Sequence, residues 1–180
     1  MLQIVIPDTQ FWDESKEEFV YKKGQTLQLE HSLVSLAKWE SKWCKRFLSK
    51  EEKTTEETID YIRCMTITQN VNPEVYENLT RENIEAVNAY ISAPMTATYI
   101  SSSKNSPGSK EPVTAELIYY WMISLNIPFK CEKWHLNRLI TLIQVCNVKN
   151  QPPKKMSKKA RASQYATLNA ARRKQFNTTG

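Results

Sequence analysis

Two apolar segments in the second half of the chain, both with the spacing of α-helices, constrain the fold most. The first follows Thr114, a residue type favoured at helix N-termini, and is apolar on almost every side. The second follows Pro128 and repeats apolar residues every three or four positions from Trp134 to Cys146. We expect an antiparallel helical hairpin joined by residues 126–130, with its first helix central and largely buried. The apolar residues of that first helix are Leu117, Ile118, Tyr119, Tyr120, Trp121, Met122, Ile123 and Leu125.

A second helical stripe lies in the first third of the chain. Apolar residues recur from Leu29 to Phe47 at spacings of three and four, which predicts a long helix that begins near Glu30. Trp39 and Trp43 lie four positions apart on this stripe. Such a pair is a candidate platform for a partner, although aromatic rings on an apolar stripe more often belong to the core. We keep both tryptophans as secondary candidates for partner binding.

Capping signals predict three further helical segments. A capping box that starts at Thr54 predicts a helix over residues 55–69. Asn72, followed directly by a proline, is a specific start signal for a short helical segment. Thr80 caps another helix, which Pro94 ends.

Strand patterns are few. Residues 1–29 contain short β-branched and alternating runs, which predict a minor β element, either a hairpin or two short strands. Residues 95–100 are also β-like. The low-complexity stretch 101–110 predicts a surface loop, with a lid over an active site as the alternative.

Positive charge is concentrated at the C-terminus. The net charge is +6, yet residues 149–180 hold nine of the 25 Lys and Arg and no acid, while the remainder has 16 basic and 19 acidic residues. Two prolines after Gln151 end the globular part, and Ser157 caps a helix to about Gln175 that is marginal unless it docks on a partner. The cations that we select as partner-binding candidates are Lys154, Lys155, Lys158, Lys159, Arg161, Arg172, Arg173 and Lys174.

These patterns together predict a mainly α fold. We expect a compact helical domain over residues 1–148, with a small β-hairpin within residues 1–29, and a basic helical arm over residues 149–180. Such an arm binds nucleic acid, binds an acidic protein surface, or is only solvated. Its positive charge alone does not distinguish these three alternatives. Because Tyr165 and Phe176 are its only aromatic residues, we favour nucleic acid less.

The composition argues against the familiar enzyme motifs. The only glycines are Gly24, Gly108 and Gly180, which excludes dinucleotide-binding loops, the P-loop and the nucleophile elbow. We predict no enzyme and no cofactor, and we nominate no catalytic residue, although a carboxylate-based enzyme stays open. Cys131 and His135 have the spacing of half a zinc site, but no second close pair accompanies them, so we predict no metal.

The N-terminus and the cysteines indicate a reducing compartment. Residues 1–7 lack the basic and long apolar regions of a signal peptide, and the longest apolar run is too short to span a bilayer. The four cysteines include no C-x-x-C pair, so buried free thiols are expected. We therefore expect a cytoplasmic protein with no membrane association.

Three stretches of the chain resemble small proteins that tailed bacteriophages encode among their tail genes, and which look like tail assembly chaperones. These stretches are residues 27–43, 118–129 and 134–139, and the likeness extends to the basic ending at 170–174. It covers most of the chain and rests on sequence texture rather than on a catalytic motif.

The resemblance implies a function in tail assembly. Members of that family bind the long helical tape-measure protein and keep it soluble in the host cytoplasm until the tail tube polymerises around it. Other tail proteins are further expected partners, and a homo-oligomer is possible. Two alternatives stay open: a structural virion component, such as a head-tail connector or minor tail protein, and a nucleic-acid-binding phage regulator that uses the arm.

Overall fold

A computed structural model describes residues 1–15, 17–99, 113–150 and 157–177, and the described part is mostly helical. Four strands come first: β1 (Leu2–Ile6), β2 (Thr9–Asp13), β3 (Glu18–Lys22) and β4 (Gln25–Leu29). Six α-helices follow: α1 (Leu33–Trp43), α2 (Thr55–Met65), α3 (Arg81–Ser92), α4 (Ala115–Ser124), α5 (Leu136–Asn150) and α6 (Lys158–Phe176). Two 3₁₀ helices, Pro73–Asn78 and Phe129–Lys133, lie before α3 and α5.

The four strands form one interrupted antiparallel ribbon, which confirms the predicted N-terminal β element. β1 pairs with β4, and β2 pairs with β3 in a continuation of the same register. Pro7, which has no backbone N–H, lies at the interruption, and the carboxylate of Asp8 accepts hydrogen bonds there from the hydroxyl of Tyr21 and from Gly24 N at 2.6 Å. These bonds, from Tyr21 first and Gly24 second, lower the pKa of Asp8. A side chain at Gly24 would lie 2.1 Å from the carbonyl oxygen of Ile6, so the close approach of the two chain segments at this interruption requires glycine.

Two core clusters fill the body, and α1 contributes to both. Trp39 of α1 lies in the first cluster, between the inner face of β1 and β4 and the helices α2 and α3. Leu33 and Leu36 of α1 lie in the second cluster, with α4 and α5. The first cluster contains Ile4, Ile6, Leu27, Leu29, Trp39, Tyr61, Ile62, Met65, Val75, Tyr76, Val87 and Tyr90. The second contains Leu33, Leu36, Ala115, Ile118, Met122, Ile127, Cys131, Leu136, Leu139 and Ile143.

Capping residues set the helix starts, as predicted for Thr54, Thr80 and Thr114; the cap at Ser32 was not predicted. Ser32, Thr54 and Thr80 each form a capping box with the residue three positions later, and the Thr114 hydroxyl accepts from Leu117 N at 3.4 Å. Each bond satisfies a backbone N–H that has no partner within its helix. The segment after Asn72 is a 3₁₀ helix, as expected for a short helical run.

Two predicted helix lengths are corrected. α1 begins at Leu33 because Leu29 belongs to β4, and it ends at Trp43 because Cys44 takes a left-handed conformation with φ of 51°. The predicted helix over residues 55–69 ends at Met65, since the next residues hydrogen-bond to the edge of β4. Glu30 N donates to the carbonyl of Met65 at 2.9 Å, and Ile67 N donates to that of Gln28 at 2.8 Å.

The structure also corrects the predicted packing and burial of α4. The two helices share the second core cluster, but α4 packs its backbone most closely against α1. α4 is not largely buried: Ile118 and Met122 face the core, whereas Tyr120 and Ile123 are 62% and 60% exposed. A helix that is apolar on every side and lies at the surface must leave one apolar face in solvent.

The predicted strand over residues 95–100 is not present in its described part, residues 95–99. Met95 has φ of 48°, and this left-handed conformation interrupts any extended run at its first residue. The predicted loop over 101–110 lies outside the described residues.

The chain divides into two units, Met1–Lys149 and Asn150–Gly180. Lys149, which the sequence assigns to the arm, is part of α5. The described part of the second unit is Asn150, which ends α5, and residues 157–177, which contain α6. Across the described ranges, no helix is both long and apolar enough to cross a membrane.

Candidate partner-binding surfaces

Trp39 and Trp43 form the contact between α1 and α2. Trp39 is 1% exposed, and its indole N–H donates to the carbonyl of Glu57 at 2.9 Å. Trp43 is half-buried, stacks on Trp39 with ring centroids 6.2 Å apart, and donates to the carboxylate of Asp60 at 2.8 Å. Both indole N–H groups therefore bond to α2, and Trp39 has almost no surface left for a partner.

Two ion pairs complete the contact between α1 and α2. Lys42 lies 2.5 Å from the carboxylate of Asp60, and Lys45 lies 2.5 Å from that of Glu57. Burial by itself raises the pKa of Asp60, but the hydrogen bonds from Lys42 and Trp43 outweigh it and leave that pKa lowered. The hydrogen bond from Lys45 lowers the pKa of Glu57, and the backbone N–H of Thr54 adds to this effect. These charges therefore have partners within the fold.

α6 presents a different kind of surface. It holds six of the selected cations and no acidic residue, and all of its described side chains are exposed. Tyr165 and Leu168 lie on one helical stripe with Arg161 and Arg172, and the stripe continues to Phe176. Cationic and apolar groups therefore share one face of the helix. The other two selected cations, Lys154 and Lys155, lie outside the described residues.

The distal half of the β-ribbon is a second exposed surface, which sequence reasoning missed. Phe19 and Tyr21 are 65% and 62% exposed, and Trp12 packs edge-on against Phe19 with ring centroids 4.9 Å apart. Trp12, Phe19 and Tyr21 have the same pleat parity as the core residues Ile4 and Leu27. The apolar face of the ribbon thus continues beyond the part that packs in the core. The alternation of apolar and polar residues along these strands is visible in the sequence, but it does not show which part of the ribbon packs in the core and which part is exposed.

A third apolar surface lies beside α4 and α5. It is an open cavity of about 370 Å³ next to the exposed side chain of Leu48. Trp121 of α4 and Ile140 and Ile143 of α5 form much of its wall. Its lining is mainly apolar, with Gln144 and Asn147 as the polar members.

The two histidines of the chain meet inside the body, which no local sequence signal predicts. The rings of His31 and His135 have centroids 5.1 Å apart, and the residues are 1% and 5% exposed. Nδ1 of His31 is hydrogen-bonded to the hydroxyl of Tyr61 at 2.6 Å, and Nε2 of His135 donates to the carbonyl of Tyr90 at 3.0 Å. Burial, with His135 nearby, lowers the pKa of His31 to about 4, and burial also lowers that of His135. The pair is therefore neutral at pH 7.

The half zinc site considered at Cys131 and His135 has no completing ligands among the residues that the structure describes. Cys131 is buried in the second core cluster, and His135 uses Nε2 on Tyr90 while its Nδ1 accepts from Asn137 N at 3.3 Å. Within residues 1–15, 17–99, 113–150 and 157–177, no three His, Cys, Asp or Glu side chains are grouped to hold a metal ion.

The exposed surfaces that stand out among the described residues are therefore the basic helix α6, the aromatic face of the ribbon, and the apolar surface beside α4. Comparison with protein-family models, curated proteins and solved structures finds no match to this chain.

Proposed function

We propose that this chain is a non-enzymatic tail assembly chaperone of a tailed bacteriophage, which binds the tape-measure protein in the host cytoplasm and keeps it soluble. The resemblance of residues 27–43, 118–129 and 134–139 to such proteins supplies the identity of the partner. The observation that carries the proposal is the surface of α6, where cations and apolar side chains share one exposed face.

The chemistry of α6 selects a particular kind of partner. Most helical stability in proteins comes from the packing of an apolar face rather than from propensity, so burial of the apolar stripe of α6 against another surface stabilises this helix. Tyr165, Leu168 and Phe176 contact apolar side chains of the partner, while Arg161 and Arg172 pair with flanking carboxylates. A long helical protein with an apolar seam and acidic borders meets both requirements.

The same surface favours release as well as binding. Exposed ion pairs each contribute on the order of 0.2–1 kcal/mol and weaken as salt rises. Three apolar side chains and a few such pairs give a contact that forms quickly and dissociates readily. A chaperone must leave its substrate when the tail tube assembles, so weak contacts repeated in many copies suit this task better than one tight contact.

Co-expression with the tape-measure protein of the same genome tests the proposal. The variant reverses three cations at the end of α6: Arg172→Glu, Arg173→Glu and Lys174→Glu. The control reverses three exposed cations of the body: Lys38→Glu, Lys50→Glu and Lys130→Glu, so that both proteins carry the same net charge. The wild type and the control should raise the soluble yield of the tape-measure protein. The α6 variant should raise this yield less, because its affinity for the tape-measure protein falls about tenfold or more. An unchanged yield with the wild type contradicts the proposal.

Nucleic-acid binding is the second candidate, and the absence of any acid among the residues of α6 favours it. A regulator of this kind binds DNA or RNA with an affinity that falls linearly on a log–log plot against salt, at a slope set by the phosphates contacted. Fluorescence anisotropy with a labelled duplex across a salt series distinguishes it from the chaperone. The structural-virion alternative is distinguished by mass spectrometry of purified particles, where it requires a fixed copy number.

A further inference from the structure

The third strand of the ribbon has an ordered distribution of charge. The strand β3, residues 18–22, reads Glu-Phe-Val-Tyr-Lys, with an acid at the start, apolar residues in the middle and a base at the end. When such a strand pairs antiparallel with a copy of itself about Val20, Glu18 lies opposite Lys22 and Phe19 lies opposite Tyr21. Every position is then matched by charge or by apolar character. A parallel pair would instead put like charges side by side.

The outer edge of this strand is available for pairing. In the part of the chain that the structure describes, β3 pairs with β2 and with no other strand. Its outer N–H and C=O groups are a template for another strand. An open groove of about 560 Å³ adjoins β3 from Val20 to Lys22, and Asn70 and Asn72 line its far side. There is space beside the edge for an incoming strand, with amide side chains to contact it.

We infer that β3 is a homodimerisation edge, at which two copies of this chain pair antiparallel and join their ribbons into a four-stranded sheet. Charge complementarity within β3 determines both the partner and the register. A second copy supplies the matching strand in isologous two-fold symmetry, so each contact occurs twice. The pairing rests on the ribbon and not on the proposed chaperone function, and either can fail without the other.

Pairing also accounts for the exposed aromatic residues of the ribbon. Phe19 and Tyr21 lie on one face, next to Trp12 on β2. In the paired sheet, Phe19 of one copy packs beside Tyr21 of the other, so two rows cross the sheet, each with Trp12 and Phe19 of one copy and Tyr21 of the other. Lys22 already pairs with Glu77 at 2.7 Å, and the two side chains are 19% and 61% exposed, so the partner copy's Glu18 shares a lysine that has one carboxylate partner in the single chain.

A charge-exchange experiment on the full chain tests the inference. Glu18→Lys sets lysines against Lys22 at two places, and Lys22→Glu sets acids against Glu18 at two places. Each single variant should raise the dimer dissociation constant about tenfold, as measured by sedimentation velocity from micromolar to near-millimolar concentration. An equimolar mixture of the two variants should form a heterodimer of wild-type affinity, because both contacts again join opposite charges.

Two controls keep the result specific. Glu52→Lys makes the same charge change in an exposed loop of the body and should leave dimerisation unchanged. Because Lys22→Glu also removes the contact with Glu77, Glu77→Gln is the control for that loss and should dimerise like the wild type. A monomer throughout the concentration range, a Glu18→Lys variant that dimerises like the wild type, or mixtures no tighter than the single variants would each overturn the inference.

Discussion

The buried histidine pair makes the stability of the body sensitive to mild acid. His31 has a pKa of about 4 in the folded protein and about 6.5 when unfolded. Below pH 6.5 the imidazole of His31 binds a proton in the unfolded chain but not in the folded protein, so the free energy of unfolding falls as the pH falls towards 4. Between about pH 8 and pH 5, this one group lowers the free energy of unfolding by about 2 kcal/mol.

Carboxylates contribute little in the same interval. Glu57 and Asp60 have ordinary pKa values of 4.5 and 3.8, below this pH range, and the fold lowers both further. They remain ionised in both states down to about pH 5, so their linked loss of stability begins at lower pH. The lowered pKa of His135 adds to the effect of His31 in the same direction.

Urea unfolding at several pH values, followed by circular dichroism, measures the effect. The variant His31→Asn keeps a hydrogen-bonding group near the position of Nδ1 and removes the titration. It should be less stable at every pH because it leaves space in the core, but its stability should change with pH by about 2 kcal/mol less than that of the wild type over this range. Identical pH profiles for the two proteins would refute the reasoning.

Three further outcomes follow from the packing. Glu40→Gln should lower the free energy of unfolding, measured by urea titration, by about 2–3 kcal/mol. The buried carboxylate accepts hydrogen bonds from two backbone N–H groups at 2.8 Å, one on each oxygen, whereas an amide has only one oxygen. The control Glu52→Gln, at an exposed position, should have no measurable effect in the same titration. Gly24→Ala should lower the free energy of unfolding by about 1–3 kcal/mol, since its methyl group meets backbone at 2.1 Å, and a stability equal to that of the wild type would contradict this close approach of Gly24 to Ile6. Removal of residues 151–180 should leave a cooperative thermal melt; a loss of cooperativity would show that the arm belongs to the core.

The helix starts could be predicted because their causes are local. Thr54, Thr80 and Thr114 cap helices through hydrogen bonds that reach only three residues along the chain. A single sequence contains all the information that such a contact needs. The ends of α1 and α2 were less predictable because they depend on β4, to which the residues after α2 are hydrogen-bonded.

Features that depend on distant contacts were not predictable in the same way. The apolar composition of α4 indicated burial on every side, but only the position of α1 decides that Tyr120 and Ile123 stay in solvent. His31 and His135 come together because their backbones pair across the body, where Leu136 N donates to the carbonyl of His31 at 2.7 Å. No periodicity in the sequence indicates that these two histidines lie side by side.

Some features of the candidate surfaces are visible in the sequence, and others depend on the fold. The charge of α6 is visible in the sequence, and so is the order of acids and bases in β3. That the outer edge of β3 lacks a neighbouring strand among the described residues, and that Trp39 is enclosed between α1 and α2, are tertiary facts. Composition identifies which surfaces are chemically suited to a partner, and the fold decides which of them remain accessible.

Light scattering on a sizing column, after co-expression with the tape-measure protein of the same genome, tests the central claim most directly. The account predicts a soluble complex whose mass requires several copies of this 21.0 kDa chain on each tape-measure chain. Elution of this chain at its own mass or that of a dimer, with the tape-measure protein insoluble, would contradict the proposed chaperone function.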